Sequence, residues 1–306
     1  MNPLVIGPLL LALNGGIASH AAPPQALDPA ARDSITSAIL TERENEENDL
    51  KSGATSYLAT IERVDFGERS ALVVGRAPDC DVRIDDPAMP LHAIRVSAAG
   101  DSFHVATLDP TAPFRWQHLD YLELTLGPAA IELGRWTLRL SHQRFPAIIV
   151  FDPQSPRFSA YKGREYFPVD LSLRFAAALV PAPHPDTVII LSTRGNRRRA
   201  LRVGWFDVRI GRHDCRLEAH RLLEPGVDEN SLSIFFRDAT TGHETYPVGR
   251  YLDPEPMPDG RYVLDFNFAY NPACAFSPHY NCPIPTRANT LPLAVRAGEM
   301  DAHYPH

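Results

Sequence analysis

Proline is the residue that most restricts what this chain can fold into. The sequence holds 29 prolines against 18 glycines in 306 residues. Proline lacks a backbone donor and disfavours helix interiors, so this load favours loops and short strands over long helices. One large domain or two medium ones fit the length and the ordinary globular composition, 44% hydrophobic and 22% charged.

Only one segment, residues 28–53, carries convincing helix signals. Asp28 supplies an N-cap, Pro29 suits the first helical position, and Gly53 stands where a left-handed C-terminal cap belongs. The apolar stripe of this helix is thin, which predicts a surface position. The stripe consists of Ile35, Ile39 and Leu50.

From Tyr57 onward the pattern is typical of strands. The segment WTLRLSH (136–142) alternates at period two, and LRVGWFDVRIG (201–211) also indicates a strand. The segment 232–252 is predicted to fold back at 238–242, where the Asp-Ala-Thr-Thr-Gly sequence suits a hairpin. The predicted fold is therefore all-β, with an N-terminal helix and linker over 22–54, a sandwich over 55–146, and a second sandwich or barrel-like domain over 147–306.

The first 21 residues are predicted to be a secretory signal. An apolar run from Leu4 to Leu13 is too short to span a bilayer, and Ser19 and Ala21 are small residues at the positions before a cleavage site. We therefore expect a periplasmic or secreted protein. No other stretch is apolar enough to be a transmembrane segment.

The formal net charge of −7 argues against a nucleic-acid partner, which requires a basic surface. The run STRGNRRRALR (192–202) is the strongest basic cluster and is interpreted as a solvated turn rather than an anion-binding tip. Linear signatures of common hydrolases, kinases and dehydrogenases are not found.

The segment DFNFAYNPACAFSPHYNCPIP (265–285) is the main candidate for a site. Period two places Asp265, Asn267 and Asn271 on one face, opposite an aromatic face that includes Tyr270. Asp and Asn are depleted in strands. These polar side chains therefore either line a pocket or hold loop backbone through buried hydrogen bonds.

The same segment holds two of the four cysteines. Cys274 and Cys282 are separated by seven residues, and in an exported chain a disulfide between them is predicted. Zinc held by Cys274, His279, Cys282 and Asp265 is a weaker alternative because the spacing does not match common zinc modules. A buried thiol pair is expected if the protein stays in the cytosol. No metal and no cofactor are predicted.

The segment VVGRAPDCDVRIDDPAMPLHAIRV (73–96) resembles a forkhead-associated (FHA) domain. Gly75, Arg76 and His92 match the family pattern, but Met89 occupies the place of a phosphate-binding serine. Methionine cannot replace the missing hydroxyl donor. The resemblance implies an FHA-like β-sandwich without phosphopeptide binding.

The C-terminal half resembles the bacterial family called domain of unknown function 1684. The motifs that carry the resemblance are FFRDATTGHETYPVGRYL, LDFNFAYNPACAFSPHYNCPIP, NTLPLAVRAGE and, more loosely, FSAYKGREYFPVD. One position departs from the family pattern, since Ala288 stands where a glutamate is usual. The resemblance implies a fold and a shared polar cluster but no activity. The positions carried over are Asp238, Thr240, Gly242, Glu244, Thr245, Tyr246, Gly249, Arg250, Asp265, Asn267, Tyr270, Asn271, Cys274, Cys282, Asn289 and Glu299.

These features predict a non-catalytic envelope protein with a small-ligand-binding or structural role. Its expected pocket residues are Arg250, Asp265, Asn267, Tyr270, Asn271 and Tyr246. The alternative is a hydrolase-like enzyme acting on a small polar or anionic substrate. In that case Asp265 or Glu244 is the general acid/base and Arg250 neutralises an anionic intermediate. The two hypotheses differ in whether Glu244, Arg250 and Asp265 share one open cleft.

Overall fold

The structure is a computed structural model that describes residues 28–301. The predicted signal segment 1–21 lies outside the described residues. Strands dominate the chain after its first helix, which confirms the predicted all-β class. Within residues 28–301, no helix is long and apolar enough to span a membrane.

Helix α1 spans Pro29–Ser52 and begins as the sequence predicts. The Asp28 carboxylate accepts a hydrogen bond from the backbone N–H of Ala31 at 2.9 Å. The predicted left-handed cap at Gly53 is wrong, because its φ is −65°. Glycine is needed there for another reason, since a Cβ atom would lie 2.7 Å from the carbonyl oxygen of Asp49.

The buried face of α1 packs on the second half of the chain. Leu50 contributes to a small apolar cluster with Leu58 and Phe276. Arg43 is buried and donates to the carbonyl oxygens of Phe167 at 3.2 Å and Asn267 at 3.0 Å. The long Arg43 side chain therefore anchors α1 through hydrogen bonds, where the apolar stripe is too thin to anchor it by packing alone.

The first domain is a sandwich of two sheets. The strands are β1 (Thr60–Asp65), β2 (Ala71–Gly75), β3 (Val82–Arg83), β4 (Ile94–Ala99), β5 (Ser102–Thr107), β6 (Phe114–Trp116), β7 (Leu119–Tyr121), β8 (Glu123–Leu126), β9 (Ala129–Leu133), β10 (Trp136–His142) and β11 (Pro146–Phe151). One sheet has the strand order β1-β11-β10-β9-β6-β7, and the other has the order β3-β2-β4-β5-β8. Strand β11 pairs with β1 and β10, so the first sheet continues to Phe151. Side chains from both sheets fill one core around Phe66, Phe103 and Phe114.

The second domain follows a one-turn helix α2 (Arg157–Ala160) and consists of three small antiparallel sheets around one core. The strands are β12 (Arg174–Ala177), β13 (Leu179–Leu191), β14 (Arg197–Ile210), β15 (His213–Leu222), β16 (Ile234–Phe236), β17 (Arg250–Leu252), β18 (Glu255–Pro256) and β19 (Tyr262–Asp265). The three sheets have the strand orders β12-β19-β18, β13-β14-β15 and β16-β17. One-turn 3₁₀ helices occupy Leu171–Leu173, Phe266–Phe268, Ala273–Ala275 and Arg287–Asn289.

An apolar cluster joins the two domains. Ile149 and Phe151 of the sandwich pack with Tyr251, Tyr280 and their neighbours in the second domain. The relative position of the domains is therefore fixed by buried apolar side chains, and the loop that holds both cysteines lies inside this junction.

Two local predictions require correction. The polar strand predicted through residue 271 ends at Asp265, because the Asp265 carboxylate accepts from the backbone N–H of Asn267 at 3.0 Å and starts a 3₁₀ turn. The basic run at 192–202 is not entirely solvated. Arg198 is buried, and its guanidinium contacts both carboxylate oxygens of Glu224 at 2.6 Å.

Candidate functional site

A cavity of about 630 Å³ lies between α1, the sandwich and the second domain, and we call it the α1 cavity. The first part of its wall comes from the C-terminal half of α1 and the segment that follows. These residues are Glu46, Asp49, Leu50 and 53–57 except Ala54. The sandwich contributes Arg139, and the second domain contributes Arg164, Asp253, Tyr270 and Asn271. Three parts of the chain that are distant in sequence therefore build one polar cavity.

Asn271 lies in the wall of the α1 cavity and has an unpaired acceptor. Its side-chain amide nitrogen donates to the carbonyl oxygen of Met300 at 2.8 Å, which fixes the orientation of the amide. Its backbone N–H donates to Glu299 Oε2 at 2.9 Å. Asn271 is only 2% exposed, yet its Oδ1 atom has no hydrogen-bond partner among the described residues. Such a group costs about 1–3 kcal/mol unless a donor reaches it.

Tyr270 precedes Asn271 in the cavity wall. Its hydroxyl donates to Asp253 Oδ2 at 2.9 Å, while Asp253 Oδ1 accepts from the Ser233 hydroxyl at 2.8 Å. Burial, and after it the Asp253 carboxylate, raise the pKa of Tyr270 well above its ordinary value. Tyr270 is therefore a fixed, protonated wall residue and not a base.

Arg164 and Glu46 form a salt bridge in the wall. Arg164 Nη1 lies 2.8 Å from Glu46 Oε2 and also donates to the Tyr166 hydroxyl at 3.3 Å. Burial raises the pKa of Glu46, and the charge of Arg164 offsets part of that rise. The buried Nε atom of Arg164 has no hydrogen-bond partner among the described residues. The salt bridge therefore occupies Arg164 Nη1 and Glu46 Oε2, while Arg164 Nε is a donor that this pairing does not use.

Arg139 and Tyr57 complete the wall. Arg139 on β10 is half-buried and lies over the Phe151 ring, 5.3 Å from its centroid. Tyr57 is half-buried and packs against the rings of Phe276 and Tyr280. Among residues 28–301, neither the Arg139 guanidinium nor the Tyr57 hydroxyl has a hydrogen bond or ion pair. Both groups are therefore free to contact a bound molecule.

Arg250, predicted as a pocket residue, lies in the core of the second domain instead. It is 1% exposed, and its guanidinium forms an ion pair with Asp238 at 3.0 Å. It also donates to the carbonyl oxygens of Val295, at 2.8 Å, and Ala297. Burial lowers the pKa of Arg250 and Asp238 opposes that effect. Arg250 holds the C-terminal segment in place and does not line the α1 cavity.

Asp265 and Asn267 are also placed away from the α1 cavity. The Asn267 amide makes a reciprocal pair of hydrogen bonds with the backbone of Asp170, at 2.8 and 3.0 Å, and donates to Asp265 Oδ1 at 2.8 Å. Arg174 Nε lies 3.1 Å from Asp265 Oδ2, close enough for an ion pair though without hydrogen-bond geometry. Burial raises the pKa of Asp265. The sequence left two roles for the polar face, a pocket lining or buried hydrogen bonds to loop backbone. Asn267 has the second role.

Glu244 and Tyr246 do not join the cavity either. Glu244 lies at the surface and forms a two-point salt bridge with Arg296, at 2.8 and 2.9 Å, which lowers the pKa of the carboxyl. The Tyr246 hydroxyl donates to the carbonyl oxygen of Cys274 at 3.0 Å. Since Asp265 is buried elsewhere and Arg250 is in the core, the predicted acid/base pair does not share one cleft.

All four cysteines are free thiols in the structure, so it does not contain the predicted disulfide. Cys274 and Cys282 are nevertheless neighbours, since the backbone N–H of Cys274 lies 3.3 Å from the Cys282 sulfur. A hydrogen bond between the thiols lowers the pKa of Cys274 and, together with burial, raises that of Cys282 well above its ordinary value. Oxidation of the pair stays a prediction.

The zinc alternative is not assembled among the described residues. His279 lies near Arg157, Arg194 and Arg63, and burial followed by these charges lowers its pKa. Asp265 faces Arg174 rather than the cysteines. The one group of metal-ligand types within 4.8 Å in residues 28–301 is Asp79, Cys80 and His92 on the sandwich, where Asp79 and His92 already contact each other at 3.0 Å.

Sequence reasoning missed Glu46, Tyr57, Arg139 and Arg164. Arg139 stands in the strand WTLRLSH, where the period-two pattern places it opposite the apolar positions. Arg164 lies in the loosely matching segment FSAYKGREYFPVD. These signals identify exposed basic residues but give no indication that the two would meet α1.

The fold and the cavity together define a two-domain all-β protein with a polar cavity where a helix meets both domains. The chain belongs to the family described as Protein of unknown function (DUF1684), whose profile matches residues 159–300, and this confirms the family resemblance. The solution NMR structure of an uncharacterized protein of Haloarcula marismortui is 34% identical. It covers 46% of this chain and 78% of its own, with a TM-score of 0.38.

Two further solved structures also align. One is the FhaA FHA domain complexed with an intracellular domain, at 18% identity, covering 26% of this chain and 79% of its own, with a TM-score of 0.21. The other is Mycobacterium tuberculosis EmbR in complex with a low-affinity phosphopeptide, at 18% identity, 42% and 32% coverage, and a TM-score of 0.21. The sandwich is established by its own two sheets and not by these alignments. A search of curated proteins gave no match.

Proposed function

We propose that the protein binds a small polar ligand in the α1 cavity and does not transform it. The observation that carries this proposal is the unpaired Oδ1 atom of the buried Asn271 in the cavity wall. Native proteins rarely leave a buried acceptor unpaired, and ligand sites combine a concave surface with a few convergent polar groups. The volume of about 630 Å³ lies in the range of small-molecule pockets.

A non-catalytic role is supported by the chemistry of the cavity wall. Its carboxylates include Glu46, which is bound to Arg164, and Asp253, which accepts from Tyr270 and Ser233. Among residues 28–301, neither a cysteine nor a histidine lines the wall. The Ser56 hydroxyl donates to the Leu50 carbonyl oxygen and accepts from the backbone N–H of Leu58, so it is committed to the backbone. Ser56 is therefore not an activated nucleophile, and the third wall carboxylate, Asp49, is exposed on α1.

A ligand screen read by thermal shift tests the proposal with a matched pair of variants. Thr55→Phe fills the cavity from its wall, whereas Ala54→Phe places the same ring on the neighbouring exposed residue outside it. We expect at least one small polar compound to raise the melting temperature of the wild type and of Ala54→Phe but not of Thr55→Phe. Compounds that stabilise all three proteins equally would place binding elsewhere and contradict the proposal.

We also propose that residues 1–21 direct export, which places the binding function in the cell envelope. The support is the apolar run Leu4–Leu13 followed by the small residues Ser19 and Ala21. Cell fractionation and N-terminal sequencing test it. A protein in the envelope or medium that begins near residue 22 is expected, while intact protein confined to the cytoplasmic fraction would contradict export.

A further inference from the structure

Arg139 carries the one arginine charge in the cavity wall that has no partner among the described residues. The other wall arginine, Arg164, is bound to Glu46. A half-buried guanidinium has lost part of its hydration, and its planar set of donors matches a carboxylate. The aromatic ring of Phe151 beneath it satisfies one face but accepts no conventional hydrogen bond. The position is therefore suited to an anionic group of a ligand.

Tyr57 adds a hydroxyl donor to the same cavity wall. Its ring packs in the apolar cluster that holds Phe151, the ring beneath Arg139, and its centroid lies 5.1 Å from that of Tyr280. The Tyr280 hydroxyl is already paired with the Thr60 hydroxyl at 2.9 Å. The Tyr57 hydroxyl has no such partner, so it and Arg139 form a two-residue anion subsite.

The remaining wall selects against a strongly charged anion. Its carboxylates are Glu46, Asp49 and Asp253, against two arginines, which leaves a formal charge of −1. A phosphate or a polyanion would be repelled by that balance, whereas a single carboxylate would not be strongly disfavoured. Asn271 Oδ1, also in the wall, accepts hydrogen bonds and requires a donor such as an amino or hydroxyl group.

We propose that the ligand is a small monocarboxylate that also carries an amino or hydroxyl donor. Its carboxylate binds Arg139 and Tyr57, and its donor binds Asn271 Oδ1. A short peptide or amino acid and a sugar acid both have this chemistry. The inference rests on the proposed function, because it names the ligand class of the same cavity.

Titration calorimetry with paired probes tests the ligand class. Dialanine and glucuronate represent the two sources, and dialanine amide and glucose are their counterparts without the carboxylate. We expect at least one of the two carboxylates to bind, and its neutral counterpart to bind at least tenfold more weakly. Binding of dialanine alone would identify a peptide or amino-acid ligand, and binding of glucuronate alone would identify a sugar acid.

Variants locate the carboxylate. Arg139→Gln should weaken the bound carboxylate at least tenfold, with the melting temperature of the free protein nearly unchanged because no protein ion pair is lost. Arg139→Lys should restore part of the affinity. Arg95→Gln, which changes an exposed arginine on β4 outside the cavity, is the matched control and should bind like the wild type.

The inference can be overturned in three distinguishable ways. Equal binding of charged and neutral probes, or full affinity in Arg139→Gln, refutes the carboxylate assignment. Failure of both carboxylates, while another compound binds and is excluded by Thr55→Phe, refutes the ligand class and leaves the cavity as a binding site. Absence of any compound that Thr55→Phe excludes refutes the proposed function itself, and the inference with it.

Discussion

Replacing Arg250 by methionine should lower the free energy of unfolding of the second domain far more than replacing either cavity arginine. The change leaves Asp238, whose side chain is fully buried, without its counter-ion. It also removes the donors to the carbonyl oxygens of Val295 and Ala297. Breaking a buried pair by removing one partner costs about 3–5 kcal/mol, because an uncompensated charge remains in the core. We expect a loss of that size in the free energy of unfolding.

Urea unfolding followed by far-UV circular dichroism measures this effect. Arg296→Met is the matched control, since Arg296 forms its salt bridge with Glu244 at the surface and should leave the unfolding midpoint nearly unchanged. The double variant Arg250→Met with Asp238→Asn should recover part of the loss, because the unpaired charge is gone. An Arg250→Met protein that keeps its stability but loses ligand binding would refute the structural role. It would instead support the sequence-based prediction that Arg250 contacts the ligand.

Three further predictions concern residues that the sequence singled out. Burial raises the pKa of Asp265 above its ordinary 3.8. The wild type should therefore lose stability relative to Asp265→Asn as the pH rises from 3.8 through the raised pKa of the folded state. A difference in urea midpoints that does not change with pH would contradict this. If the protein is exported, denatured protein without reductant should titrate two thiols, because a Cys274–Cys282 bridge leaves two of the four cysteines free. That bridge would add about 2–3 kcal/mol to the free energy of unfolding. Four free thiols would refute the disulfide. Glu244→Gln should leave ligand affinity unchanged in calorimetry, and a tenfold loss would revive the acid/base alternative.

The sequence predicted those parts of the fold that depend on neighbouring residues. The Asp28 cap fixed the start of α1, and period-two alternation located β10. The failures are also local in origin. Gly53 is required because a carbonyl oxygen lies close to it, and not because its φ is positive. The Asp265 side chain ends β19 by accepting a hydrogen bond from the backbone N–H of Asn267.

The α1 cavity could not be predicted because its wall depends on contacts between distant segments. Arg43 holds α1 against Asn267, which is 224 residues further along the chain, and this contact helps to bring Glu46 and Asp49 to the second domain. Period two does not hold beyond Asp265, where a 3₁₀ turn begins, so it could not show that Asn267 would be sealed against Asp170 while Asn271 would line the cavity. Arg139 became a site residue only through the docking of the two domains.

The central claim is that the α1 cavity is the binding site, and crystals soaked with dialanine, glucuronate and a small polar fragment set test it most directly. We predict electron density for a bound carboxylate between Tyr57 and Arg139, with a donor atom within hydrogen-bond distance of Asn271 Oδ1. Fragments that cluster instead in the smaller groove of the sandwich beside Met89 and Trp136, with no density in the α1 cavity, would contradict the account.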